Sequence, residues 1–332
     1  MAQGYLYIRL VLSGILRPYA LFPTSINIRM TSGVTQHGLI TATFSQRMRM
    51  RLDDGSEVSG RLKGKKIRPV CGDRVEVRAI ANEPEWLITN ILPRRNELSR
   101  LDKRGRIEVL VANIDLVAVV AADAPAADWF IVDRYLAAAE LINVSALVVF
   151  NKSDLGAASE SSETALADYA RIGYATLLCS AKTGDNVNEL QRHLCDRTTI
   201  IVGQSGVGKS SLINYLIKDA DQQTAELSQA TGEGRHTTVN SMMWSLTEGG
   251  VVIDSPGVRD YAPAVESPDL VARGFREIDE HGHDCRFSNC RHLREPDCAV
   301  KSAVENGKIS ARRYESYRRL LALAQKLADT YS

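Results

Sequence analysis

The chain has 332 residues, 44% of them hydrophobic and 24% charged. That length makes two or three domains at roughly 100–200 residues each, and the composition excludes wholesale disorder or a collagen-like rod. The formal charge of +1 conceals a division: residues 1–106 carry 19 basic and 9 acidic side chains, residues 107–280 carry 12 and 25, and residues 281–332 carry 10 and 6. Basic ends around an acidic middle suit a protein whose ends meet a polyanion. Six cysteines are too few for a disulfide scaffold. Three of them cluster with a histidine and the rest are scattered, which points to a reducing, cytoplasmic compartment. No apolar run reaches the roughly 18 residues of a membrane helix, so no membrane partner is expected.

In chain order, residues 1–52 hold six Arg and no Asp or Glu. Such a leader has the composition of a transit peptide but lacks a secretory apolar core and cleavage site. We read residues 1–35 as an extension, with Met30 as a natural start. Residues 36–100 read as about five short strands broken by Gly and Asp, the pattern of a small antiparallel barrel of OB type. Residues 93–106 (PRRNELSRLDKRGR) read as a charged linker.

From residue 107 to 265 apolar strands alternate with amphipathic helices, the pattern of an α/β domain with a parallel sheet. Strands are expected at 114–121, 144–150, 175–179 and 198–202, and helices at 128–141 and 160–172. Residues 266–332 form a third segment: a Cys/His cluster followed by a basic helix over 309–328.

The strand at 198–202 runs into G-Q-S-G-V-G-K-S, and a helix follows. Strand, G-x-x-x-x-G-K-S and helix together make a phosphate-binding loop. Gly203, Gln204, Ser205, Gly206, Val207, Gly208, Lys209, Ser210 and Ser211 are the candidate cradle. The glycines let backbone N–H groups face phosphate oxygens, and the helix N-terminus adds its dipole. Lys209 is expected to reach the β- and γ-phosphates, and the Ser210 hydroxyl to bind Mg²⁺.

The base is read upstream. Asn151-Lys152-Ser153-Asp154 follows the strand at 144–150, at the end where ligands bind in such sheets. Asp154 can accept from guanine N1–H and the 2-amino group, whereas adenine offers neither donor and would leave the carboxylate unpaired. Asn151 can tie this loop to the phosphate loop, and the Lys152 stem can cover the base. Ser180-Ala181-Lys182 follows the next strand and offers a backbone N–H to guanine O6. Downstream, Asp254-Ser-Pro-Gly257 ends another apolar strand. Asp254 is expected to hold Mg²⁺ through water, and the Gly257 N–H to sense the γ-phosphate. Between them lies a switch-like stretch, 232–238, in which Thr238 is the candidate Mg²⁺-sensing hydroxyl and Thr237 its neighbour.

The order of these motifs is unusual. Common GTPases run phosphate loop, switch threonine, D-x-x-G, N-K-x-D, S-A-K. Here N-K-x-D and S-A-K come first, which is a circular permutation. Chain termini that lie close together allow the same site to be kept.

Cys285, Cys290, His292 and Cys298 place three thiols and an imidazole within 14 residues. Tetrahedral Zn²⁺ suits that donor set, and four protein ligands leave no open catalytic position, so the ion's role is structural.

Taken together, the barrel, the permuted motifs and the C-x₄-C-x-H-x₅-C cluster resemble the ribosome small-subunit-dependent GTPase A family over about residues 36–330. The resemblance implies GTP hydrolysis stimulated by the 30S subunit, release coupled to hydrolysis and late 30S maturation by a monomer. It also implies contact with 16S rRNA through the barrel and the zinc lobe. Arg47, Arg49, Arg51, Lys63, Lys65, Lys66 and Arg68 are placed to meet phosphates. The family's switch often reads G-R-H-T-T-T, and here Val239 stands third. Val258 occupies the place of the water-orienting Gln of other GTPases, and His236 looks like the family's substitute. The candidate catalytic set is therefore His236, Lys209 and Thr238. The alternative reading is an RNA-binding checkpoint that uses GTP as a conformational switch with little hydrolysis.

Overall fold

The computed structural model describes residues 35–44, 47–62, 64, 67–101, 106–217, 239–255 and 267–331. Of the extension expected over 1–35 only Thr35 is described, and it opens a strand rather than belonging to an extension; the remainder, with Lys63, Lys65 and Lys66, lies outside the described residues.

Five strands make the barrel: β1 (Thr35–Phe44), β2 (Arg47–Leu52), β3 (Glu57–Leu62), β4 (Arg74–Ala79) and β5 (Trp86–Ile91). They pair in the order β1-β2-β3-β5-β4, and β4 returns to β1. Strand alternation builds the core. In β2, Met48, Met50 and Leu52 point inward among Ile40, Val75, Val77 and Ile88 while the arginines between them face out. Those arginines are not all free for phosphates. Arg47 pairs with Glu85 at 3.1 Å and Arg51 with Glu57 at 2.8 Å. Arg61 and Arg74 are likewise paired, with Glu83 and Asp53. The net charge of this region overstates its positive field, and Arg68 is exposed.

The segment read as a charged linker is instead half of a hairpin, β6 (Glu97–Leu101) against β7 (Ile107–Ala112). Leu98 is buried opposite Val111. Its neighbours' charges mask this apolar position in the sequence. Arg94 grips the fully buried Asp73 of the barrel through two bonds of 2.7 and 2.8 Å, which fixes the hairpin to the barrel.

The α/β part has strands β8 (Leu116–Ala121), β9 (Ser145–Phe150), β10 (Ala175–Leu178), β11 (Thr198–Gly203), β12 (Val239–Ser245) and β13 (Val251–Asp254). Their order is β10-β9-β8-β11-β13-β12, parallel except for β12. Both faces are covered, which explains why β8 reads as an unbroken apolar run. Val117 and Val119 pack toward α1 (Trp129–Leu141) and α2 (Glu160–Arg171), while Leu116, Ala118 and Val120 pack toward α3 (Val187–Leu194) and α4 (Lys209–Leu216). Asp128 caps α1 by accepting from the Phe130 and Ile131 amides.

β12 would be the sheet's edge, but the barrel covers it. The first half of β1 pairs with β4, and its last residues pair with β12, with Ala42 opposite Met242 and Thr43 opposite Ser241. Barrel and nucleotide sheet are thereby one hydrogen-bonded sheet of eleven strands.

The C-terminal part holds a 3₁₀ turn (Pro268–Gly274) and helices α5 (Arg276–Gly282), α6 (Ala299–Glu305) and α7 (Ala311–Tyr331). Val271, Phe275, Ile278, Tyr317 and Leu320 pack with Ala137 of α1. Among the described residues no helix is long and apolar enough to cross a membrane.

Candidate active site and metal centre

The phosphate loop leaves β11 at Gly203 and enters α4 at Lys209. Two glycines make this path possible. Gly203 has φ 134° and a Cβ there would collide with the Val120 carbonyl oxygen; Gly208, the N-cap of α4, has φ 97° and would collide with Asn151. Lys209 folds back so that its ammonium donates to the Gly203 and Gln204 carbonyls at 2.8 and 2.6 Å. Val207 is fully buried beneath the loop, while Ser205, Gly206, Ser210 and Ser211 are exposed.

Asn151 sits at the end of β9 and is buried. Its amide donates to the Val207 carbonyl at 2.9 Å and its oxygen accepts from the Ala181 N–H at 3.0 Å. One side chain therefore joins the phosphate loop, N-K-x-D and S-A-K. Lys152 adopts a left-handed backbone, φ 68°, and its ammonium donates to the Gly206 carbonyl at 2.7 Å and to that of Ala124. Ser180 donates to Asp154 at 2.7 Å, with the Lys182 ammonium 3.6 Å from the same carboxyl. These hold Asp154 below the usual carboxylate range. It stays an acceptor for a base edge that presents two donors.

Asp254 ends β13, which runs parallel to and beside β11. It thus lies at the same sheet end as Ser210, the second residue of α4. A hydroxyl and a carboxylate at that end suit a hard cation with oxygen ligands such as Mg²⁺. His236, Thr237, Thr238 and Gly257 fall outside the described residues.

Two supports of this site had no motif to announce them. Gln204 accepts from the Asp128 N–H at 3.0 Å, tying the phosphate loop to the cap of α1. Asp123 receives the Ser159 amide and the Ser159 and Ser162 hydroxyls, fixing the start of α2. The sequence marks Gln204 as part of the loop and Asp128 as a helix start, but not the bond between them, nor the role of Asp123.

The metal candidates converge. The ligand atoms of Cys285, Cys290, His292 and Cys298 all lie within 4.8 Å of one another. His292 Nδ1 is 3.5 Å from the sulfurs of Cys285 and Cys298, which are 3.8 Å apart. A tetrahedral Zn²⁺ with bonds of about 2.3 Å to sulfur and 2.0 Å to nitrogen sets such edges at about 3.5 and 3.8 Å. The cluster therefore fits the ion. Helix α7 steadies the ligand turn: Tyr317 donates to the Arg291 carbonyl at 2.8 Å and Tyr314 to that of His292. Glu295 braces it from within. Burial opposes its charge, but amides of Arg291, Leu293 and Arg294 donate to it at 2.9–3.0 Å and bring its pKa to about 2.

The Glu295 contribution has a defined pH signature. The folded pKa lies below the ordinary value, so this stabilisation is complete above about pH 4.5 and disappears as pH falls toward 2. Glu295→Gln is expected to lower the melting temperature at pH 7 and to lessen its fall between pH 5 and 3. An unchanged acid profile would show that the carboxylate does not brace the turn.

A family model described as RsgA GTPase matches residues 91–263. The chain is 40% identical over 295 residues, 87% of its length and 86% of the relative's, to the small ribosomal subunit biogenesis GTPase RsgA of Actinobacillus pleuropneumoniae serotype 5b. It is 38% identical over 305 residues to the protein of that name from Histophilus somni, covering 90% and 86% of the two chains. Among solved structures it is similar to YjeQ from Thermotoga maritima, with TM-score 0.67, 27% identity and 88% and 99% of the two chains covered. It is also similar to YloQ, described as a circularly permuted GTPase, with TM-score 0.66, 26% identity and 89% and 97% covered. With its permuted order of motifs on one parallel sheet, this chain is a GTP hydrolase and belongs to the RsgA GTPase family.

Proposed function

We propose that this protein binds the small ribosomal subunit, assists its late maturation and leaves on hydrolysing GTP. The carrying observation is the Asn151 junction. It aligns a guanine-reading carboxylate with a phosphate loop in a sheet that continues into the barrel. The relatives' name, small ribosomal subunit biogenesis GTPase, supports the subunit as partner. We assign residues 36–100 to an RNA-binding barrel, 107–265 to the permuted GTPase domain and 266–332 to a zinc lobe. The barrel and lobe meet 16S rRNA, and the protein acts as a cytoplasmic monomer.

In this reading Asp154 selects guanine, the Ala181 amide turns from the Asn151 oxygen to share its proton with guanine O6, and the 203–211 loop holds the phosphates. Lys209 releases its carbonyl partners to steady charge on the β- and γ-phosphates. Ser210, Thr238 and Asp254 would hold Mg²⁺, which neutralises charge on the phosphate oxygens. The Gly257 N–H senses the γ-phosphate. Val258 can neither donate nor accept, so water must be oriented from elsewhere, and His236 is assigned that task once the subunit orders the switch. The four-ligand zinc cluster has no part in the chemistry.

The test is GTP turnover with and without 30S subunits over a range of salt. Subunits should accelerate it, and rising salt should weaken binding steeply, as phosphate contacts require. His236→Ala should keep GTP binding and lose the accelerated turnover. Salt-sensitive binding without acceleration would favour the RNA-binding checkpoint instead, and salt-insensitive binding would remove the rRNA contact.

A further inference from the structure

Two buried hydroxyls lie beside the nucleotide site with no role assigned so far: Ser241, and Ser255 at the first variable position of D-x-x-G. Ser241 of β12 donates to Ser255, with the oxygens 2.9 Å apart and both residues buried. Ser255 directly follows Asp254. The main-chain pairing of β12 with β13 ends where Met242 faces Asp254. The Ser241–Ser255 bond therefore adds one rung beyond the ladder, made by side chains. On its other edge Ser241 faces Thr43 of the barrel strand β1. It also stands three residues after Thr238. One residue thus touches the Asp254 segment, the strand leaving the switch and the edge held by the barrel.

We propose that Ser241 and Ser255 are positioning residues for the GTPase reaction. Their bond clamps the Asp254 segment to the switch strand, so that the barrel, through the β1–β12 pairing, sets how firmly the Mg²⁺-holding carboxylate is placed. The proposal rests on the reading of Asp254 as a Mg²⁺ holder and of the barrel as the subunit-facing part. A bond shared by two side chains has a distinctive energetic signature. Losing either one removes the whole bond, so losing the second costs nothing more at that bond.

The experiment follows release of a fluorescent GDP from the full-length protein across a Mg²⁺ titration, alongside melting temperature. Ser241→Ala and Ser255→Ala should each raise the Mg²⁺ concentration for half-maximal GDP retention by about 3–10-fold, the worth of one such bond. The double variant should be no worse than either single one. Ser241→Thr keeps the hydroxyl and should return the midpoint to within about twofold of the parent. Added 30S subunits should shift the midpoint of the parent protein and shift that of Ser241→Ala less. The proposal is overturned if the single effects simply add, or if the variants melt earlier while keeping the parent's Mg²⁺ midpoint. Non-additive Mg²⁺ effects in a protein indifferent to subunits would support the clamp and instead count against the ribosomal reading.

Discussion

Replacing Arg313 with alanine should cost about 3–5 kcal/mol of stability, measured by denaturant unfolding of the whole chain. Arg313 is 1% exposed and lies between two acids on different parts of the fold. It forks onto Glu277 of α5 at 2.7 and 2.9 Å and reaches Asp133 of α1 at 2.8 Å. Asp133 is wholly buried and also receives Arg312 at 2.9 Å and the Tyr169 hydroxyl of α2 at 2.6 Å. Truncation strands two carboxylates with most of their positive charge gone. Arg313→Lys should recover little, because an ammonium cannot make the planar fork to Glu277 while also reaching Asp133. The triple replacement Arg313→Met, Glu277→Gln, Asp133→Asn should be far milder than Arg313→Ala, since the penalty lies in the unpaired charges. A loss below about 1 kcal/mol for Arg313→Ala would mean that Arg312 takes over the pairing. The network adds charge pairing to the apolar contact of the C-terminal helices with α1, so the same variant should also weaken binding of added Zn²⁺ at the Cys/His cluster.

Asp154→Asn should weaken GTP binding by a factor on the order of 10⁴, the lower end of the range for a site built for a hydrogen-bonding group that meets one it cannot pair. In the proposed reading the carboxylate accepts from both guanine N1–H and the 2-amino group; an amide offers one acceptor and sets a donor against a donor. The same amide matches a base with a carbonyl in place of the 2-amino group, so xanthosine triphosphate should bind the variant better than GTP does. Retained Asn151 and Lys152 contacts should leave the loop folded, which an unchanged melting temperature would verify. If GTP bound both proteins equally, guanine would be read elsewhere.

The motif residues of the candidate nucleotide site stand out in the sequence because the chemistry they would serve is local. Glycines with forced backbone angles, a lysine at a helix start and a carboxylate at a strand end must recur at short, fixed spacings. The Cys/His cluster is legible for the same reason, lying within 14 residues. What stayed hidden depends on distant pairing. Asp133 and Arg313 are 180 positions apart, and nothing near either forecasts burial. Likewise, Arg47 and Arg51 read as free positive charge because Glu85 and Glu57 neutralise them across strands. The 97–101 strand reads as linker because a buried leucine among charged residues makes no pattern. The meeting of β1 with β12 could not be foreseen either, since an edge strand's sequence does not name the strand that will cover it.

That last pairing also imposes a timetable. Thr43 is synthesised about 200 residues before Ser241, its partner across the β1–β12 seam. At roughly 5–20 residues per second, a nascent chain waits on the order of 10–40 s before β12 emerges. Until then the end of β1 offers unsatisfied backbone groups to any passing strand. The barrel's own rungs can form early, but its seam to the rest closes only when nearly three quarters of the protein has been made. Long-separation contacts of this kind slow folding. The first strand of the barrel is thus also among the last to find all its neighbours.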